Sequence, residues 1–409
     1  MRLVFSNVRL IDGLGDAARA GVDVVVDDSQ ITGVVAHGSS WPEGPVSGLG
    51  GEAPTIVDGV GSTLLPGLID AHAHYTFDPT EGSIAAIARR SDAEIVLAAA
   101  GHAARALEAG ITTARGAGSI RNLELVLRDA IAGGTVPGPR LVAAGSAIGI
   151  TGGHGHQFGI EADGELELRR AVRRQVRDGG DVVKIVASEA AMLTTTGVAP
   201  GRMVHGRAEL TEPEIGAIVE EAGTLDVRVM SHAQGPESVV ASARAGVHSV
   251  EHAWLADRPA IEALAKSGAY LVPTLVVTDV NRDLPGLTPV QRARQDLIER
   301  THRASCEAAI ELGVPIATGT DCGEVGVTAD MVWREVALLH DHGASPMAAI
   351  KAATSAAATL LGLDDVGVVE PGRLADLVLV AGDPLVDLAR LASPTMVVQG
   401  GRIVAPVRR

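Results

Sequence analysis

Short apolar runs recur through the middle of this chain, each followed by a longer stretch in which apolar positions return every three or four residues. The runs fall at 64–72, 112–117, 140–147, 182–187, 228–233, 249–253, 270–275 and 315–320. The longer stretches include 93–109, 165–177, 212–223 and 292–312, several of them rich in alanine. Runs this short that stay apolar on both faces predict buried parallel strands, and the stretches between them predict helices. Strand and helix in strict alternation predict a TIM-type (β/α)8 barrel over residues 63–363, with its chemistry on the loops after the strands. A doubly wound open sheet is the alternative. No Gly-x-Gly-x-x-Gly opens a helix after the first strand, so a dinucleotide site has little support.

The two ends of the chain follow a different rule. Residues 3–11, 22–26, 31–35 and 55–58 read as short strands, with a hairpin turning at residues 27–30, and 38–54 is a Gly/Ser/Pro-rich loop. This is too little to bury a core. Residues 375–380 and 396–404, with a Gly400-Gly401 turn, supply matching strands. Residues 1–62 and 364–409 are therefore expected to form one small β-sandwich domain beside the barrel.

Composition narrows the class. At 409 residues the chain exceeds one ordinary core, and 46% apolar content with only 2% aromatic residues implies a core of Ala, Val, Leu and Ile. A net charge of −16 argues against nucleic acid or an anionic membrane as partner. Two cysteines, Cys306 and Cys322, build no disulfide framework. With no signal-like start and no long apolar span, a cytoplasmic protein acting on a small molecule is expected. A homo-oligomer is the expected assembly.

Of the 34 basic side chains only Lys184, Lys266 and Lys351 are lysine. Lys184 sits inside an apolar strand, Asp181-Val182-Val183-Lys184-Ile185-Val186, where arginine would be this chain's habit. Four other predicted strands end in ligand-type residues: His72-Ala73-His74, His232, Glu251-His252 and Asp321. Alternation along a strand puts His72 and His74 on one face. Each end alone reads equally well as a satisfied histidine or a helix cap. Five of them facing one barrel mouth are unlike coincidence.

This pattern resembles the amidohydrolase superfamily, in the branch with two metal ions bridged by a carboxylated lysine. It is similar there to prolidase-like and Xaa-Pro dipeptidases, imidazolonepropionase-related enzymes and ochratoxin-hydrolysing amidohydrolases. The tail 367–378, with Glu370-Pro371-Gly372 and Ala375-Asp376-Leu377-Val378, fits the return into the small domain. The resemblance implies that His72, His74 and Asp321 hold one divalent metal, that His232 and His252 hold the other, and that Lys184 bridges both. Zinc suits such mixed ligands. Lys184 would bridge as a carbamate formed from carbon dioxide or bicarbonate, which needs a neutral amine and which arginine cannot form. A metal-bridged hydroxide would attack, with Asp321 moving the proton.

Substrate contacts are read from the loops. Gly152-Gly153-His154-Gly155-His156 resembles a loop of family members that hydrolyse dipeptides and N-acyl amino acids, which implies that His154 and His156 hold the substrate. Arg202, His205 and Arg207 precede the next helix and are candidates for a carboxylate. Ser188-Glu189-Ala190-Ala191-Met192 departs from the glycine-rich sequence expected after the bridging lysine, which bears on specificity. Cys322 reads as a small packed side chain. The expected activity is hydrolysis of amide bonds in dipeptides or N-acyl amino acids with a free carboxylate. A hydrolase of cyclic amides, imidazolones or carbamates is the alternative, and an inactive scaffold is a third reading.

Overall fold

The computed structural model describes residues 2–42, 53–80, 84–190 and 206–405. Both ends of the chain meet in one eight-stranded sheet. Arg2–Leu10, Arg19–Asp27 and Gln30–Ala36 run antiparallel, and Thr55–Asp58 and Ser62–Pro66 lie parallel to the first of them. Leu377–Ala381 pairs with Ser62–Pro66, and Met396–Gln399 and Arg402–Ala405 complete the edge. Alternation selects the face that is buried: Leu3, Phe5, Val24, Leu64, Leu377 and Val398 share one cluster.

The run predicted as one strand at 64–72 is two strands, Ser62–Pro66 and Leu68–Ala73. At the joint the Gly67 N–H donates to the Asp376 carbonyl and the Leu68 N–H to the Gly110 carbonyl. The first half thus completes the terminal sheet. The second half joins Ile111–Gly116 and Arg140–Ala143 in a parallel sheet. A run buried throughout carries no sign of which partner each half takes.

A second parallel sheet orders Ile160–Glu161, Ile148–Gly149, Val182–Val186, Arg228–Ala233, Ser249–His252 and Tyr270–Val272. The two sheets are joined on both sides. The Asp181 N–H donates to the Ala143 carbonyl. Residues 315–321 lie between Tyr270–Val272 and Leu68–Ala73: the Ala317 N–H reaches Leu271, the Ala71 N–H reaches Thr318, and the Asp321 N–H reaches His72. The predicted strand at 315–320 is reduced to a single bridge at Ile316. Its ladder is interrupted because the Thr318 N–H turns to the Ala352 carbonyl while the Thr318 hydroxyl donates to Ile69.

Helices cover the outer faces, among them Asp92–Glu108, Gly164–Arg177, Glu212–Thr224 and Pro289–Glu311. Three start at capping boxes: Ser91 with Glu94, Thr211 with Glu214, and Thr288 with Gln291. Ala99, Ala103 and Ala106 bring the first helix close onto Leu68 and Ile111. Among the described residues no helix is long and apolar enough to cross a membrane.

Asp376 ties the terminal sheet to the parallel one. Its carboxylate accepts Arg140 Nη1 at 2.7 Å and the Gly400 N–H at 2.7 Å. Asp376→Ala should cost about 1–3 kcal/mol by leaving these donors unpaired. Urea unfolding measures it, and metal content should not change.

Candidate active site

Every parallel strand in this arrangement ends on one side of the molecule, and the candidate ligands end there together. A cavity of about 200 Å³ is lined by His72, His74, Lys184, His232, His252 and Asp321. Their rings form a chain of contacts: His72 and His74 lie 5.3 Å apart by centroid, His72 and His252 4.9 Å, and His232 and His252 4.5 Å. Asp321 Oδ1 stands 3.3 Å from His72 Nε2 and 3.4 Å from His74 Nε2, while Oδ2 is 3.8 Å from His252 Nδ1. Parallel register sets Val186 beside His232 and Ala233 beside His252. Gly319 is what lets the Asp321 segment come so near: a Cβ there would lie 2.6 Å from His72 Cβ.

Burial decides the protonation states. It drives His74 down to about 4 against the attraction of Asp321, and His232 and His252 fall well below the usual imidazole value for the same first reason. Neutral imidazole is the form that ligates a metal. Lys184, 4% exposed, is lowered by burial to about 8 despite the pull of Glu251 and Asp321. Burial would raise the Asp321 carboxyl, but His72, His74 and Lys184 together hold it well below the carboxylate range.

The tautomers are set from behind. His72 Nδ1 lies 2.7 Å from Glu251 Oε2, and His74 Nδ1 donates to the Gly118 carbonyl at 2.8 Å. Burial would raise Glu251, but Arg115 and His72 bring it down to about 2, so it is an ionised acceptor and His72 Nδ1 the donor. Both Nε2 lone pairs therefore face Asp321. Glu251 is in turn held by Arg115 Nη2 at 3.1 Å and the Ser249 hydroxyl at 2.5 Å, and Arg115 Nε donates to the Ala71 carbonyl. Asp70 clips the two ligand segments together: it accepts the His72 N–H, the Thr320 N–H and the Thr320 hydroxyl.

These residues fit a divalent metal. His72, His74 and Asp321 each offer a ligand atom within 4.8 Å of the others. His232 Nε2 is buried with no hydrogen-bond partner among the described residues, as an imidazole awaiting a ligand would be.

The loop residues separate. His154 lines the cavity, its ring 4.8 Å from His232, and its N–H is held by Glu209. His156 is exposed, with Nδ1 donating to the Gly153 carbonyl, and does not line the cavity. Arg207 is exposed and pairs with Glu189 at 3.0 Å. Arg202 and His205 lie outside the described residues. Cys322 is 1% exposed and packs in the core, as its sequence context implied. Arg115 and Asp70 escaped the sequence reading, which noted Glu251 at a strand end but gave it no role. An Arg within the apolar strand at 111–116, a Glu directly before a ligand His, and the Asp of Asp70-Ala71-His72 were the available signals.

A sequence profile of the amidohydrolase family matches residues 63–404. The chain belongs to the amidohydrolase family. Aspergillus niger ochratoxinase is 30% identical over 378 residues, covering 83% of this amidohydrolase and 75% of the relative. Its crystal structure matches with a TM-score of 0.85 at 26% identity, over 99% of this chain and 96% of that one. A Xaa-Pro dipeptidase crystallised with methionine in its active site matches at 28% identity and a TM-score of 0.85, over 98% and 99%. A prolidase complexed with N-methylphosphonate-L-proline matches at 25% identity and 0.84, over 99% and 100%. The protein is accordingly an enzyme, a metal-dependent amidohydrolase.

Two outcomes follow from the buried charges. Glu251→Gln keeps the shape but weakens the acceptor for His72, and metal affinity should drop on the order of 10–100-fold in a chelator competition titration. In the metal-free protein, buried histidines such as His74, lowered from 6.5 to about 4, bind protons more readily when unfolded. Their contribution is present above pH 6.5 and disappears as pH falls toward 4, so urea midpoints should decline across that window.

Proposed function

We propose that the enzyme hydrolyses dipeptides or N-acyl amino acids carrying a free carboxylate. The observation behind this is the convergence of six ligand-type side chains on one cavity with a histidine, His154, beside them. Relatives named Xaa-Pro dipeptidase, prolidase and ochratoxinase support the same substrate class. The cavity walls are apolar on two flanks, with Phe77, Phe158 and Val186 in one cluster and Trp254, Val277 and Ile298 in another. Such walls suit the side chains of two adjacent residues.

His72, His74 and Asp321 would hold one zinc, His232 and His252 a second, with Lys184 between them. Bound there, two ions would acidify a water and polarise the scissile carbonyl. Lys184 supplies the bridge after its neutral amine adds carbon dioxide and loses a proton, and the lowered value of about 8 leaves that amine available near neutral pH. Asp321 turns Oδ1 toward His72 and His74, leaving Oδ2 to take the proton of the attacking water and return it to the leaving nitrogen. A neutral His154 donates a hydrogen bond to the substrate carboxylate. The same reading takes the parallel strands as a closed TIM-type barrel over residues 63–363. Residues 1–62 and 364–409 then form the small β-sandwich domain, to which Ser62–Pro66 adds a strand.

Lys184→Arg should abolish most activity and lower the metal content from two per chain, read by elemental analysis. Wild-type turnover in that variant would remove the carbamate. Asp321→Asn should keep metal and lose roughly 10²–10⁴-fold in turnover. Peptides with a free carboxylate should be cleaved far better than their amides, mainly through KM, and His154→Ala should narrow the gap. Equal cleavage of both forms, or cleavage of cyclic amides alone, would replace this reading.

A further inference from the structure

The fully buried acidic groups around this site are compensated. Glu251 has Arg115 and His72, Asp70 has Thr320, Glu335 accepts the N–H groups of Leu275 and Val276, and Glu124 accepts that of Gly145. Glu324, by contrast, is half-buried on the wall of the cavity that holds the candidate ligands, and no described residue hydrogen-bonds or ion-pairs with its carboxylate. A carboxylate on the cavity wall whose oxygens no described side chain takes can pair with a cationic group of a bound ligand.

Its position is fixed. The Glu324 N–H donates to the Asp321 carbonyl at 3.2 Å, the Val327 N–H to the Glu324 carbonyl, and the Gly326 N–H to Pro79. Gly323 has φ of 103°, and a Cβ there would lie 2.6 Å from the His74 carbonyl oxygen, so the turn is pressed onto the ligand-bearing strand. Glu324 therefore follows Asp321 on one rigid turn, while His154 packs against His232.

We infer that Glu324 binds the ammonium group of the substrate, making this enzyme selective for dipeptides with a free N-terminus over N-acyl amino acids. The inference rests on the proposed hydrolysis of that combined class. In a dipeptide the ammonium lies one carbon from the scissile carbonyl on the acyl side, and the carboxylate lies one carbon beyond the leaving nitrogen. Glu324 and His154 would take these two ends, with the carbonyl between them beside the histidine cluster. An acyl group without the amine would set apolar atoms against an uncompensated carboxylate, whereas an ammonium makes a charge-assisted hydrogen bond.

The test uses the metal-loaded enzyme and two substrates that differ only in the amine, an alanyl and a propionyl derivative of the same amino acid. Wild type should favour the alanyl form by on the order of ten- to a hundredfold in kcat/KM, mostly through KM. Glu324→Gln should erase that preference by raising KM for the dipeptide, with the propionyl substrate and the metal content unchanged. Glu324→Asp, which keeps the charge on a shorter stem, should retain part of the preference and serves if the Gln variant does not fold. A wild type indifferent to the amine, or an E324Q variant that weakens both substrates alike, would overturn the inference while leaving the proposed function intact. Failure of wild type to cleave either substrate would overturn both.

Discussion

Glu251 is a charge that water cannot reach, and the site is arranged around making it tolerable. A fully buried carboxylate survives only with partners that satisfy it, and here Arg115, Ser249 and His72 do so from three different strands. The same contacts join the two parallel sheets at the level of the ligands. Removing one partner leaves a buried charge exposed to low dielectric, so the group behaves as a unit. Holding Nδ1 of His72 on Glu251 is also what turns Nε2 toward the cavity.

Desolvation then does the chemical preparation. Imidazoles that would be half protonated near neutral pH in water are kept neutral, and Lys184, inside a parallel strand, is brought within range of deprotonation. Backbone strain collects at the same places. His252, Thr274 and Asp321 all adopt positive φ, at 74°, 55° and 57°, each a conformation costing a non-glycine residue about 1–3 kcal/mol. The surrounding hydrogen bonds outweigh that cost: the Asp321 N–H is held by the His72 carbonyl, and the Thr274 hydroxyl meets His252 and Trp254.

Periodicity made most of the elements legible. The strands at 111–116, 182–186 and 228–233 follow from short runs apolar on both faces, the helix at 212–224 from helical period, and the terminal strands from alternation. Two elements did not. The run at 64–72 divides between sheets because uniform burial hides a change of partner, and the run at 315–320 fails as a strand because threonine hydroxyls and a distant carbonyl take over its hydrogen bonds. The candidate ligands were legible because histidine, aspartate and lysine at apolar strand ends are chemically out of place unless something binds them.

What the sequence by itself determined was the inventory: which side chains can ligate or carry protons, on which elements they ride, and at which end. His72, His74, Lys184, His232, His252 and Asp321 needed only spacing and polarity to be singled out. The tertiary structure decided which charges face each other. It put His154 into the cavity and left His156 outside, spent Arg207 on Glu189, gave Glu251 to Arg115 and left Glu324 without a cation among the described residues. Such pairings join residues tens to hundreds of positions apart, and loops carry no periodicity from which their direction can be read. Charge compensation depends on distances of a few ångströms and on local dielectric, and both exist only once the chain has closed on itself.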